Sequence, residues 1–257
     1  MSEGKPEDVD FAAEHGFASL ELSFWPAPMD PKLEAGSALK EKMDAAGIAV
    51  CGVGIWGRNF ISPDDAERKQ AWQELGRAMD YAQAMGAPFV IMGAGEDADK
   101  PLAEKMEAFL PNFTRACEQA RKHNLRLAIY NCTWANFITG PAAWEALFQA
   151  LPDAPIGIKF DPSHPYHAKQ DYLRHLRDFG DRVLHLHAKD VQYVAGAAFT
   201  EPPAGLGDIR WGNLISILYH HGYQGHIAFE PHSKPWTESM RYAGLLIGKR
   251  HLEAFLA

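Results

Sequence analysis

Three polar residues each close a short apolar run. Asp161 follows Ile158-Lys-Phe160, His187 ends Leu184-His-Leu-His187, and Glu230 follows Ile227-Ala-Phe229. Runs of this kind are buried strands, so each polar group sits where a strand ends. Two carboxylates and an imidazole are donors suited to Mn²⁺, Co²⁺, Mg²⁺ or Zn²⁺. Any one of them is as readily a capping or solvated residue, but three on separate strand ends outweigh that alternative. His164 in Asp161-Pro-Ser-His164 and His232 in Glu230-Pro-His232 add imidazoles on the following loops. Either suits contact with a substrate hydroxyl or acid–base work. A surface loop histidine is the plain alternative, stronger for His232 than for His164.

The elements that must position these groups repeat along the chain. A helical segment ends in Gly, and a strand begins within a few residues: Gly16 before Ala18–Leu22, Gly47 before Ile48–Cys51, Gly86 before Pro88–Met92, and Gly222 before His226–Glu230. Gly just past a helix end adopts the left-handed conformation without a Cβ penalty. Ser62-Pro63-Asp64-Asp65 reads as a helix start with Ser62 at the N-cap, and Asp30-Pro31 as another. Leu125–Ile129, Ile156–Phe160 and Arg182–His187 complete a set of seven strands. Strands alternating with helices imply an α/β fold with a parallel sheet. The expected architecture is a TIM-type (β/α) barrel that lacks or replaces its first strand, because the chain opens on a helix from about Pro6 to His15. An open doubly wound sheet is the alternative. A seven-stranded sheet leaves an incomplete junction between the strand containing Leu20 and the one containing Phe229, which a homo-oligomeric partner could cover.

The chain has 257 residues and no Pro/Gly/Ser-rich linker, so residues 1–257 are expected to form one domain. The formal net charge of −8 lacks the basic excess that phosphate backbones require, which disfavours nucleic acid. No apolar run is long enough to span a bilayer. The odd set Cys51, Cys117 and Cys132 argues against a disulfide framework, and cytoplasm is the expected address.

Five segments follow one another in a telling order: Leu127-Ala-Ile-Tyr-Asn131, Phe160-Asp-Pro-Ser-His164, His185-Leu-His-Ala-Lys-Asp190, Gly205-Leu-Gly-Asp-Ile-Arg-Trp211 and Gly222-Tyr-Gln-Gly-His-Ile-Ala-Phe-Glu230. Together they resemble the sugar phosphate isomerase/epimerase group of the xylose isomerase-like TIM-barrel superfamily. That group includes D-tagatose 3-epimerase, hydroxypyruvate isomerase and inosose dehydratase. The resemblance implies that Asp161, His187 and Glu230 are metal ligands and that His164 contacts substrate. It also implies a fourth ligand, a glutamate, at the end of Leu125–Ile129, where this chain has Tyr130 and Asn131. In the epimerases that glutamate is one of two carboxylates that move protons on opposite faces of the sugar. Here Tyr130 could donate a proton or bind substrate, and Asn131 could offer a carbonyl oxygen to the metal. Lys159, on the same strand face as Asp161, could neutralise the carboxylates or pair with an acid such as Glu21.

The resulting expectation is an isomerase or epimerase, assisted by a divalent metal, that acts on a sugar or keto-polyol. Glu230 would move a proton next to a carbonyl, His164 and His232 would hold hydroxyls, and Lys189 would stabilise negative charge. A lyase that dehydrates a keto-polyol needs one base and suits the lost glutamate. A non-catalytic sugar-binding barrel is a further alternative, and a DNA-repair endonuclease is disfavoured by the charge. Trp25, Trp56 and Trp134 follow strands and offer an apolar wall for stacking a sugar, although isolated tryptophans are as often packing residues. Gly93-Ala-Gly95-Glu-Asp97 imitates a dinucleotide fingerprint but lacks its third glycine and carries acids where a pyrophosphate would sit, so it reads as a strand-to-helix loop.

Overall fold

The structure, a computed structural model, describes residues 5–24 and 33–256. Trp25 and the Asp30-Pro31 helix start lie outside the described residues. Packing groups the chain into two compact units, residues 1–157 and 158–257.

The first unit opens with helix α1 (Pro6–Glu14), then β1 (Ser19–Phe24), α2 (Leu33–Ala45), β2 (Ala49–Ile55), α3 (Asp65–Met85), β3 (Phe89–Met92), α4 (Leu102–Lys122), β4 (Arg126–Tyr130) and α5 (Pro141–Ala150). β1 to β4 lie side by side in chain order, every pair parallel. The expected glycine caps are present: Gly86 closes α3 at φ +72°, its N–H bonded to the last turn, and Gly16, Gly47 and Gly222 share that conformation. The start of α3 differs from expectation by two residues. Asp64, not Ser62, is the N-cap, accepting from the amides of Ala66 and Glu67. Ser62 Oγ instead accepts from Asp64 N at 3.1 Å, bracing the turn before the helix. A carboxylate acceptor at the positive end of the helix wins because charge adds to the hydrogen bonds.

Apolar burial fixes this unit. β3 is buried at all four positions, and α4 turns Met106, Phe109, Phe113, Cys117 and Ala120 inward at helical spacing. Phe109 stacks on Phe113 at 4.6 Å and meets Trp72 and Phe137 at 5.6 and 5.7 Å, so one aromatic cluster ties α3, α4 and the loop after β4. Two buried or half-buried amides then tie the strand-end loops. Asn136 Oδ1 accepts from Ala94 N and Ile138 N, and its Nδ2 donates to Tyr130 O and Cys132 O. Asn59 Oδ1 accepts from Ile61 N and Glu96 N while its Nδ2 donates to Glu96 O. Gly95, at φ +87°, must be glycine because a Cβ there would lie 2.4 Å from Asn59 Oδ1.

The second unit contains most of β5 (Ile156–Phe160), the short α6 (Ser163–His167), α7 (Tyr172–Phe179), β6 (Val183–Ala188), the strands β7 (Gln192–Val194) and β8 (Ala197–Thr200), α8 (Trp211–His220), β9 (Ile227–Phe229) and α9 (Arg241–Glu253). β5, β6 and β9 are parallel neighbours in that order. The seven parallel strands are those expected from the sequence, with boundaries shifted by a residue or a few. β1 has one strand partner, β2, and β9 one, β6, among the described residues, which agrees with a sheet left unclosed. The antiparallel β7–β8 hairpin was not expected.

Asp190 anchors the long segment that contains this hairpin. Its fully buried carboxylate accepts from Val191 N at 2.9 Å, Ile209 N at 3.0 Å, Gly205 N at 2.8 Å and Trp211 Nε1 at 2.8 Å. Gly207 passes so close that a Cβ would lie 2.3 Å from Val191 O and 2.4 Å from Asp190 Oδ1. The Gly205–Trp211 motif is therefore a cradle for one carboxylate. Removing a buried acceptor leaves several donors unsatisfied, at about 1–3 kcal/mol each. Asp190→Ala should lower unfolding stability in urea by about 3 kcal/mol or more. A loss under about 1 kcal/mol would show that this cradle does not hold the segment.

Candidate active site

The site lies within the second unit and is built by strand alternation. On β6 and its extension, His185, His187 and Lys189 occur at every second position, so they share one face. All three are buried, and Asp190 points the other way into its cradle. β6 pairs with β9 so that Ala188 lies opposite Phe229, which brings Glu230 alongside the end of β6. Glu230 N donates to Ala188 O at 3.3 Å, and His187 Nδ1 lies 2.9 Å from Glu230 Oε2. β5 delivers Asp161, fully buried, whose Oδ1 accepts from Ser163 N at 2.9 Å and Ser163 Oγ at 2.6 Å. Its Oδ2 faces Lys189 Nζ at 3.0 Å and His164 Nε2 at 3.5 Å. Lys189 Nζ is also 3.9 Å from Glu230 Oε2. His232 Nε2 lies 3.5 Å from Glu230 Oε1.

The electrostatics follow from these distances. Burial alone would push the Asp161 carboxyl up, but the Lys189 ammonium, the two imidazoles and the Ser163 hydroxyl outweigh it and hold the group well below the usual carboxylate range. Glu230 is likewise raised by burial and held low by His187, His232 and Lys189. Lys189 is destabilised as a cation by burial, yet Asp161 and Glu230 raise it above an ordinary lysine. His164 is pushed down to about 4, chiefly by burial, and so is neutral at pH 7. Two carboxylates held ionised face the Lys189 ammonium, and the His187 imidazole meets Glu230 as well. One ligand atom each from Asp161, His187 and Glu230 can be chosen so that all three lie within 4.8 Å of one another, and all three residues are buried.

The structure thus brings Asp161, His164, His187, Lys189, Glu230 and His232 together. Tyr130, Asn131 and Trp56 belong to the first unit. Tyr130 ends β4, Asn131 follows it, and both are buried. Trp56 follows β2 and is buried too. Its ring meets Tyr130 edge to face at 5.3 Å and lies 2.6 Å from where a Gly54 Cβ would be, so it packs over its own strand. Trp134 is half exposed. Lys159 is fully buried on β5, and the ammonium that bridges Asp161 and Glu230 is that of Lys189. Sequence reasoning missed Ser163, which was readable as the serine of Asp161-Pro-Ser163, and Glu201, which no motif marks and whose carboxylate lies 3.0 Å from His167 Nε2 and 3.6 Å from His232 Nδ1.

A family model described as xylose isomerase-like TIM barrel matches residues 9–245. The chain belongs to that family. Among curated relatives, the inosose dehydratase of Bacillus velezensis is 23% identical, over 94% of this chain and 85% of that protein. The inosose dehydratase of Salmonella typhimurium is 24% identical, over 95% of this chain and 86% of its own length. Among solved structures, an IOLI protein with a bound zinc atom superposes with a TM-score of 0.81 at 13% identity, covering 98% of this chain and 94% of that one. D-psicose 3-epimerase from Clostridium cellulolyticum, solved with D-tagatose, gives 0.79 at 16% identity, covering 98% and 93%. At these identities the structural likeness is one of fold, and the family match makes that fold an α/β TIM barrel.

Removing Lys189 should expose its part in the cluster. Lys189→Met, kept in chelator, leaves two buried carboxylates without their ammonium and should cost about 3–5 kcal/mol at pH 7. The folded Asp161 pKa lies below its unfolded value of about 3.9, so the pair's contribution is present above that pH and fades as pH falls through the folded value. In the variant the carboxyl titrates higher, so the deficit should narrow on acidification. Urea unfolding at pH 7 and about pH 4 checks this. An equal deficit at both would mean that Lys189 acts by packing alone.

Proposed function

We propose that the protein is an isomerase or epimerase, dependent on a divalent metal, that moves a proton on the carbon beside a carbonyl in a sugar or keto-polyol. The observation that carries this is the convergence of three buried donors, Asp161, His187 and Glu230. That donor set fits a divalent cation: two carboxylates and an imidazole, all buried, leave no competing bulk water. Mn²⁺, Co²⁺, Mg²⁺ and Zn²⁺ all accept mixed oxygen and nitrogen donors, and manganese is included in the reading on that ground. When bound, the cation would polarise a carbonyl oxygen and its neighbouring hydroxyl.

The chain's own groups supply the rest. Glu230 is kept ionised and can accept a proton at Oε1, where His232 stands 3.5 Å away as an exit toward solvent. His164, neutral and beside Asp161, can hold a substrate hydroxyl as donor or acceptor. Lys189 offers a fixed positive charge to an enediolate-like substrate oxygen. Tyr130 and Trp56 are proposed as substrate contacts for their phenol and apolar ring, and Asn131 as a ligand through its amide oxygen, although the family's pattern places a glutamate at Tyr130. The odd set of three cysteines suits a reducing cytoplasm.

A second reading, dehydration of a keto-polyol, is favoured by two observations. The curated relatives named above are inosose dehydratases, and Tyr130 stands where a second carboxylate base is expected. Both readings begin with the same proton abstraction, so solvent deuterium tests them together. Enzyme loaded in turn with each of the four ions is incubated in D₂O with ketohexoses and keto-inositols. Label should enter beside the carbonyl of at least one substrate, with an epimer or isomer as product in the first reading and loss of water in the second. Glu230→Gln should slow this about 100-fold or more, the usual contribution of a positioned base. No exchange on any substrate with any ion would overturn both readings.

A further inference from the structure

Outside the cation site, three elements of the second unit meet in one hydrogen-bonded chain. His167, on α6, lies with Nδ1 2.9 Å from the Tyr193 hydroxyl and Nε2 3.0 Å from Glu201 Oε1. Tyr193 is on β7 and Glu201 just past β8, 26 and 34 residues along the chain from His167. A carboxylate only accepts, so Nε2 carries a proton and the neutral ring takes the Tyr193 hydroxyl at Nδ1. Each end of the chain is fixed. The Tyr193 amide donates to Asp208 Oδ2 at 2.8 Å, and its ring lies 5.5 Å from that of Tyr166 and 5.8 Å from that of His167. Glu201 N donates to Ser233 Oγ at 2.7 Å, and Glu201 O accepts from the amides of His232 and Ser233 at 3.1 and 3.3 Å. The second carboxylate oxygen of Glu201 faces His232 Nδ1 at 3.6 Å. Solvent reaches the chain: 31% of the His167 side chain and 26% of that of Glu201 are exposed, and Tyr193 is half-buried.

A clamp between α6 and the hairpin needs only one hydrogen bond from the imidazole. The second bond, to a carboxylate, orients the ring and stabilises the imidazolium that forms when Nδ1 takes a proton. A hydroxyl, an imidazole and a carboxylate in that order are the parts of an activated nucleophile. We propose that Tyr193, His167 and Glu201 form a second reactive site, at which the Tyr193 phenol is acylated by a small activated acyl donor such as an acyl phosphate, a thioester or an acyl imidazole. Tyr193 Oη bonds to the acyl carbon as the bond from that carbon to the leaving group breaks. The phenol proton passes to His167 Nδ1 and from there to the leaving group, which departs with the electron pair of the broken bond. The product is a tyrosyl ester, and no oxidant, reductant or cation takes part. The site uses none of Asp161, His187 and Glu230, so it goes beyond the isomerase reading and does not depend on it.

Brief treatment of the whole protein with N-acetylimidazole, followed by peptide mass spectrometry, reads the site directly. Tyr219, on α8 and 42% exposed, is the internal comparison. Although less exposed, Tyr193 should be acetylated at least about tenfold faster than Tyr219, because a positioned base contributes about 10²–10⁴-fold and half-burial offsets only part of that. His167→Gln should slow Tyr193 about 100-fold while Tyr219 keeps its rate. Glu201→Gln should slow Tyr193 by less, since the ring remains but loses its counter-charge. A merely structural clamp would leave Tyr193 no faster than Tyr219 in the wild type, and that result would overturn the proposal. Equal Tyr193 rates in the wild type and His167→Gln would overturn it as well. If either variant fails to fold, the wild-type ratio decides alone. The measurement needs neither a cation nor a sugar, so failure of the isomerase reading leaves it standing.

Discussion

Lys189 brings a full positive charge to a place with almost no water, and it is stable there only because Asp161 and Glu230 come to meet it from two other strand ends. That requirement couples elements far apart in the chain. β5 must end at Asp161, β6 must alternate so that His187 and Lys189 share a face, and β9 must pair in the register that lays Glu230 beside Ala188. A slip of one residue on β6 would turn its polar face to the wrong side and leave three buried groups unmatched. The same convergence gives the cluster its chemistry, because two carboxylates and an imidazole within 4.8 Å of one another are a donor set for a cation.

The loops around such a site carry many backbone groups that need partners. This protein meets the need with single buried side chains that each serve several amides or carbonyls. Asn136 and Asn59 do so in the first unit, and Asp190 in the second. Each fixes a loop where backbone pairing amounts to single bridges, Gly95 with Asn136 and Lys189 with Pro203. Glycines follow as a consequence, since Gly95 and Gly207 pass within a bond's reach of these side chains. Their place in the sequence reflects crowding around a polar anchor rather than flexibility.

The parallel strands and several helix ends were legible in the sequence because their signals are local: apolar runs of fixed length, and a glycine that only a left-handed cap explains. Asp161, His187 and Glu230 were legible for the same reason, each being a polar residue that closes an apolar run. The α3 cap was misplaced by two residues because Ser62 and Asp64 are both good caps, and only the fold shows which amides each one reaches. The β7–β8 hairpin escaped notice because its strands have three and four residues and are mostly exposed, so neither carries an alternating pattern. Glu201, His167 and Tyr193 were invisible because their meaning lies in contacts 26 and 34 residues apart in the chain. Lys189 was expected to stabilise developing negative charge; that it also pairs with Asp161 emerges only from the register of three strands.

The central claim is that Asp161, His187 and Glu230 form a cation site beside the Lys189 ammonium. Crystals soaked in Mn²⁺ and measured at an anomalous wavelength test it most directly. The account predicts one strong anomalous peak within about 2.0–2.3 Å of a ligand atom from each of the three residues, with Lys189 still within reach of Asp161. Crystals that show no peak there, with His187 and Lys189 still bridging the two carboxylates, would contradict it.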